Sequence, residues 1–372
     1  MCSNLPVKYF ILGIAFVVLA ISVNADETKV IDEAKIMAQL AHSRATYKTI
    51  EAWTERTKAI REDRLKSQGL WPMPSRPRVK VITHSRREHD GYSVENVALE
   101  TLPGFFCVGN LYRPLELSKP GPAILCPLGH FEGGRFCKDQ QIRCAHFARE
   151  GATVFSYSMI GWDDSQQTTH HDPLVFRLQT WNSLRAVDYI LSLPNVDQER
   201  LGVTGASGGG TQTLILALIE PRVRVSSPVV IVGLNAGGCL CEGGAWVYSN
   251  DIEVAAMIAP RPQLLISDGD DWTRDFPTKG LPFIEHFYEL AGGKGAVKSV
   301  HFPKEGHDYG PSKRKAVYEF FALHLKMPLM IEDNSKIVIE SPDQMEVFNA
   351  KYPLPAHAVK GSIAVAEAFC RK

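Results

Sequence analysis

The sequence predicts an α/β fold: a mostly parallel central sheet with helices on both faces, preceded by a short helical extension. Three observations carry this prediction. From residue 123 to residue 325, short apolar runs of strand length alternate with amphipathic helical stretches, the order that builds a parallel sheet covered on both sides. One of those runs passes directly into a helix through the glycine-rich turn Gly205-Ala206-Ser207-Gly208-Gly209. The composition, 45% hydrophobic and 22% charged over 372 residues, is that of a chain with a sizeable core and not of a disordered or fibrous one.

Taken in order, residues 26–75 are polar and helix-favouring. Apolar side chains at Ile31, Ile36, Leu40, Ile50, Trp53 and Ile60 predict two helices that pack on another body and end at Pro72 and Pro74. Residues 76–326 form the main unit. It opens with the β-rich runs Val79–Thr83, Tyr92–Leu99 and Phe105–Tyr112. Strand Ala123–Cys126, helix Phe136–Glu150 and strand Ala152–Ser156 follow. Leu178, Trp181, Leu184, Val187 and Leu191 mark one stripe of a helix over Leu174–Leu193. Strand Leu201–Thr204 leads to a helix ending at Leu218, then strand Pro228–Val232, a glycine-rich loop, and strand Gln263–Ile266. Helix Leu281–Ala291, strand Ser299–Phe302 and helix Pro311–Leu325 complete the unit. Residues 327–372 are a tail expected to pack on it.

Charge excludes bulk nucleic acid as a partner, because basic and acidic residues number 41 each and the chain has no net charge. Residues 1–25 have the pattern of a secretory signal: Lys8, the apolar run Tyr9–Val23, and the small residue Ala25 before Asp26-Glu27. That run is shorter than the ~20 residues that span hydrocarbon. The expectation is cleavage after Ala25, a secreted or periplasmic protein, and no stable membrane insertion afterwards. Seven cysteines follow this segment, Cys107, Cys126, Cys137, Cys144, Cys239, Cys241 and Cys370, and an odd number cannot all pair within one chain. Cys137 and Cys144 fall in one predicted helix, where seven residues rise about 10 Å, too far for a disulfide. Cys239 and Cys241 lack a second Cys/His pair at zinc-site spacing, and His170-His171-Asp172 reads as a loop near the cleft, so no metal and no cofactor is expected.

The chemistry is concentrated at the glycine-rich turn. A strand followed by Gly-x-Ser-x-Gly and a helix is the context of a nucleophile elbow, in which side chains two positions either side of Ser207 would collide. A serine hydroxyl needs a base, and the base needs an orienting carboxylate. His307 follows the last predicted strand, and Asp268, Asp270 and Asp271 all follow strand Gln263–Ile266. Position alone does not choose among the three aspartates. Serine, acid and histidine in this chain order are those of α/β hydrolases. Backbone N–H groups aimed at a developing oxyanion are expected from Gly208, at the start of the helix, and from His130 or Gly129 after strand Ala123–Cys126.

These stretches resemble the acetyl xylan esterase-like α/β hydrolases, a group near the dienelactone hydrolases and prolyl oligopeptidase catalytic domains. The resemblance is carried by Leu125-Cys126-Pro127-Leu128-Gly129-His130, Met159-Ile160-Gly161-Trp162-Asp163-Asp164, Gly205 to Thr213, Gly237 to Glu242, Ala259-Pro260-Arg261-Pro262, Asp270-Asp271-Trp272-Thr273 and Gly306-His307-Asp308-Tyr309. It covers about residues 80–325 and implies Asp271 as the acid, because the family's aspartate directly precedes Trp-Thr. Leu128 is a departure, since many relatives have His-Gly at this loop.

The function expected is a serine ester hydrolase with Ser207 as nucleophile, His307 as base and Asp271 as its orienting acid. The expected substrate is a small-molecule or polysaccharide ester, with acetyl as the acyl group, and Phe131, Trp162 and Trp272 crowd the acyl side. Two other classes share parts of this pattern: a serine peptidase of prolyl oligopeptidase type, and a non-catalytic binding protein on a hydrolase fold. The peptidase usually carries a large gating domain, for which residues 26–78 leave little room.

Overall fold

The computed structural model describes residues 33–234, 249–329 and 331–371. The signal segment and the Gly237–Glu242 stretch with Cys239 and Cys241 lie outside the described residues.

Nine strands form one sheet: β1 (Lys80–Glu88), β2 (Tyr92–Leu102), β3 (Phe105–Pro114), β4 (Gly121–Pro127), β5 (Thr153–Tyr157), β6 (Val196–Ala206), β7 (Val223–Val229), β8 (Gln263–Asp268) and β9 (Val297–Phe302). Their spatial order is β1-β2-β3-β5-β4-β6-β7-β8-β9. The first three run antiparallel, β3 meets β5 antiparallel, and every pair from β5 to β9 is parallel. The parallel strands end along one edge of the sheet, where open α/β sheets bind ligands.

Pleating sends alternate side chains to opposite faces, and β4 shows the consequence. Ala123 and Leu125 join one hydrophobic core, whereas Ile124 and Cys126 join the other. The first core is closed by helices α4 (Val175–Leu191), α5 (Gly208–Ile219) and α8 (Leu281–Leu290), the last preceded by the short α7 (Phe276–Lys279). The second is closed by α3 (Lys138–Arg149) and α9 (Pro311–Leu325).

The N-terminal helices α1 (Glu33–Thr46) and α2 (Ile50–Ser67) add Ile36, Leu40, Trp53 and Ile60 to the first core. Trp53 stacks on Phe287 of α8 at 3.6 Å, and Arg56 pairs with buried Glu253 at 3.0 Å. The tail lies along the antiparallel strands. Val347 is buried against Ala98, Phe106 and Val108, and the fully buried Arg135 donates to the Met345 carbonyl at 2.9 Å.

Among the elements that differ from expectation, two follow β6 toward the site. The strand expected over Pro228–Val232 runs over Val223–Val229. The apolar run Val229–Val232 is buried, but Val230 has φ +45°, so the chain leaves the sheet while its side chains stay in the core. The loop before β8 contains a short helix, α6 (Asp251–Ala256), capped by the Asn250 side chain on the Glu253 N–H. Six residues buried all round show no amphipathic stripe, so periodicity could not reveal it.

Candidate active site

Four strand ends bring the candidate residues to one edge. β6 ends at Ala206 and α5 begins at Gly208, leaving Ser207 alone in the turn with φ +54° and ψ −121°, a conformation that costs energy for a residue with a Cβ. The surrounding structure enforces it. A Cβ on Gly205 would lie 2.7 Å from the backbone of Gly209, and a Cβ on either glycine would come within 2.6 Å of the Pro127 carbonyl oxygen. Only glycine at both positions lets the elbow close against β4. The Ser207 N–H donates to the Val229 carbonyl at 3.1 Å, fixing the turn on β7. Ser207 is 8% exposed, so the elbow points into a covered cleft and not into open solvent.

The acid and base meet where β8 and β9 end. His307 Nδ1 lies 2.7 Å from Asp271 Oδ2, and Asp271 Oδ1 accepts from the Thr273 N–H and hydroxyl, both at 2.6 Å. Burial pushes the Asp271 carboxyl up, but the hydrogen bonds from His307 and Thr273 outweigh it and hold the group below the usual carboxylate range. Of the three aspartates left open by position, Asp271 faces His307 and Asp270 is exposed. Asp268 is fully buried beneath, paired with Lys313 at 3.4 Å. Asp268, Asp271 and His307 offer ligand atoms within 4.8 Å of one another, and the ammonium of Lys313 is the cation beside them. The Ser207 hydroxyl and His307 make no hydrogen bond to each other here, a contact that commonly tightens only with substrate bound.

The opposite wall follows β4. Gly129 packs so closely on β6 that a Cβ would lie 2.2 Å from the Ala206 carbonyl oxygen, which sets the Gly129–His130 backbone beside the elbow. The N–H of Gly208 opens the first turn of α5, where the helix dipole favours negative charge. The His130 ring turns to His170, with the two Nε2 atoms 2.7 Å apart, and His170 Nδ1 lies 2.8 Å from the Ile160 carbonyl. A carbonyl only accepts, so His170 Nδ1 carries the proton and neutral His170 accepts at Nε2 from His130. Burial and the neighbouring His170 push His130 down to about 4, and burial likewise lowers His170.

The three aromatic candidates separate. Phe131 stacks on His307 with ring centres 5.9 Å apart, and Trp272, 43% exposed, tilts over the same imidazole at 4.6 Å. Trp162 stands edge-on to His130 at 5.4 Å, on the other wall. The sequence reading missed Asp268 as a companion of the acid, Thr273 and Lys313. It also missed the His130–His170 contact, which joins positions forty residues apart. Asp172, read with the histidines, instead shapes the turn before α4 by accepting from the Leu174 N–H at 2.8 Å.

Sheet order, elbow and acid–base pair together define an α/β hydrolase. The chain belongs to the acetyl xylan esterase (AXE1) family, whose model matches residues 31–231. It is a carboxylic-ester hydrolase. Among solved structures it is similar to methylesterase BT1017, at 36% identity over 91% of this chain and 80% of that one, with a TM-score of 0.84. A Bacteroides fragilis NCTC 9343 structure described as an acetyl xylan esterase shares the fold at 15% identity, covering 76% of this chain and 84% of that one, with a TM-score of 0.56. YtaP of Bacillus subtilis (strain 168), described as a hydrolase, is 24% identical over 270 residues, 61% of this chain and 86% of its own length.

Proposed function

We propose that this esterase works through an acyl-enzyme on Ser207. His307 takes the Ser207 proton as the hydroxyl oxygen attacks the ester carbonyl, and Asp271 holds His307 in the tautomer that leaves Nε2 free to accept. The N–H groups of Gly208 and His130 stabilise the oxyanion, and His307 returns the proton to the departing alcohol. Water then repeats the sequence to release the acid. The reading rests above all on the 2.7 Å contact between His307 and Asp271 at the sheet edge shared with Ser207. Residues 1–25 direct the chain out of the cytoplasm, where polymeric esters are met.

The substrate in this reading is a small acyl ester on a polysaccharide, acetyl foremost, with Phe131 and Trp272 closing the space beside His307. A second reading is supported by the 36% identity to a methylesterase: the small group is then the alcohol, and the acid stays on the polymer. Incubation with acetylated xylan and with a methyl-esterified polyuronate separates the two, the first predicting acetate and the second methanol. Ser207→Ala should abolish either release, by several orders of magnitude in rate, and near-normal turnover in that variant would overturn the mechanism.

A further inference from the structure

Lys313 is fully buried in the first turn of α9, yet it is an amine of the kind usually left in water. Its Nζ donates to the Gly306 carbonyl at 2.5 Å and to Asp308 Oδ1 at 2.7 Å, the residues on either side of His307. It also lies 3.4 Å from Asp268 Oδ2, an oxygen with no hydrogen-bond partner among the described residues, and 3.7 Å from Glu305. Asp268 in turn is joined to the acid loop, because its N–H donates to the Thr273 hydroxyl that itself donates to Asp271.

We propose that Asp268 and Lys313 are positioning residues for the base, forming with Asp271 and His307 a buried array whose charge is balanced only while His307 holds a proton. Two carboxylates face one ammonium and a neutral imidazole at rest, a net of −1. When His307 takes the serine proton, two negative charges meet two positive ones. The array thus favours the state that develops during attack, with groups already in place before reaction. The other charged groups around His307 lie nearer water. Asp308 and Glu305, with side chains 54% and 33% exposed, and the exposed Asp270 near Gly306 border solvent, whose high dielectric weakens their effect on His307, and the flanking Phe131 and Trp272 carry no charge.

This inference rests on His307 as the base, and its test separates the two. The measurement is kcat/KM against pH with p-nitrophenyl acetate for the wild type, Asp268→Asn, Lys313→Met and the double variant, with thermal transitions as a folding control. Removing a negative charge disfavours imidazolium, so Asp268→Asn should move the acid limb to lower pH, by on the order of one unit. Removing the ammonium favours imidazolium, so Lys313→Met should move it to higher pH. The double variant should return close to the wild type. Lost activity with the limb unmoved in both single variants, or moved the same way in both, would overturn the proposal. Should Lys313→Met fail to fold, the near-isosteric Asp268→Asn decides by its shift alone. Wild-type turnover that persists in Ser207→Ala would instead be the failure of the serine mechanism itself.

Discussion

The two walls of the cleft are made of different chemistry. Around His307, two carboxyl groups and one amine, those of Asp271, Asp268 and Lys313, are buried within a few ångströms, and both oxygens of Asp271 are occupied. Around His130, two histidines pair with each other and with a backbone carbonyl, and burial keeps them neutral. The same residue type thus sits in two environments: His307 faces a carboxylate, whereas His130 is buried against another imidazole.

The sharpest way to break that contrast is to remove the charge on the first wall. Asp271→Asn should lower kcat by about 10⁴-fold through the wrong tautomer of His307, while the equivalent change at Asp270 should leave turnover near normal. Equal losses at both positions would dissolve the assignment of Asp271. In the wild type, kcat/KM should fall on the acid side as His307 gains its proton, and a profile flat down to about pH 4 would exclude a histidine base.

On the neutral wall the effects should be smaller and of another kind. His130→Ala keeps the backbone N–H and removes only the ring, so it should raise KM more than it lowers kcat and leave the acid limb where it is. Because the folded state holds His130 at about 4, below the ordinary histidine value near 6.5, folding disfavours its charged form. Thermal stability should therefore be full above about pH 6.5 and decline as pH falls toward 4, and His130→Gln should lose part of that decline. A decline identical in variant and wild type would place its origin elsewhere. Acyl length probes the space beside His307. Along p-nitrophenyl acetate, butyrate and octanoate, kcat/KM should fall, and a rise toward octanoate, by the ~1–3 kcal/mol per methylene of a smooth apolar pocket, would contradict small-acyl preference. The smallest expected effect is that of EDTA, which should leave activity unchanged.

What the sequence made legible follows local rules. Ser207 could be found because the elbow needs glycine at fixed offsets, and His307 because it follows a strand at a predictable place in the alternation. Asp271 could not be separated from Asp268 and Asp270 by position, because three aspartates within four residues differ only in which way the turn points each carboxylate. Lys313 was hidden for a related reason: Arg314 beside it is buried as well while Lys315 is exposed, and nothing local marks which cations of this helix turn inward. Contacts such as His130 with His170 depend on how two loops meet above the sheet, and no periodicity records that.

In the proposed mechanism everything turns on acylation of Ser207. Treatment with a fluorophosphonate followed by peptide mass spectrometry tests it directly, because such a probe forms a stable adduct only with a serine that a nearby base activates. A single adduct is expected on the peptide containing Ser207, abolished in both Ser207→Ala and His307→Ala. An unlabelled wild type that still hydrolyses p-nitrophenyl acetate, or a label on another serine that survives Ser207→Ala, would contradict it.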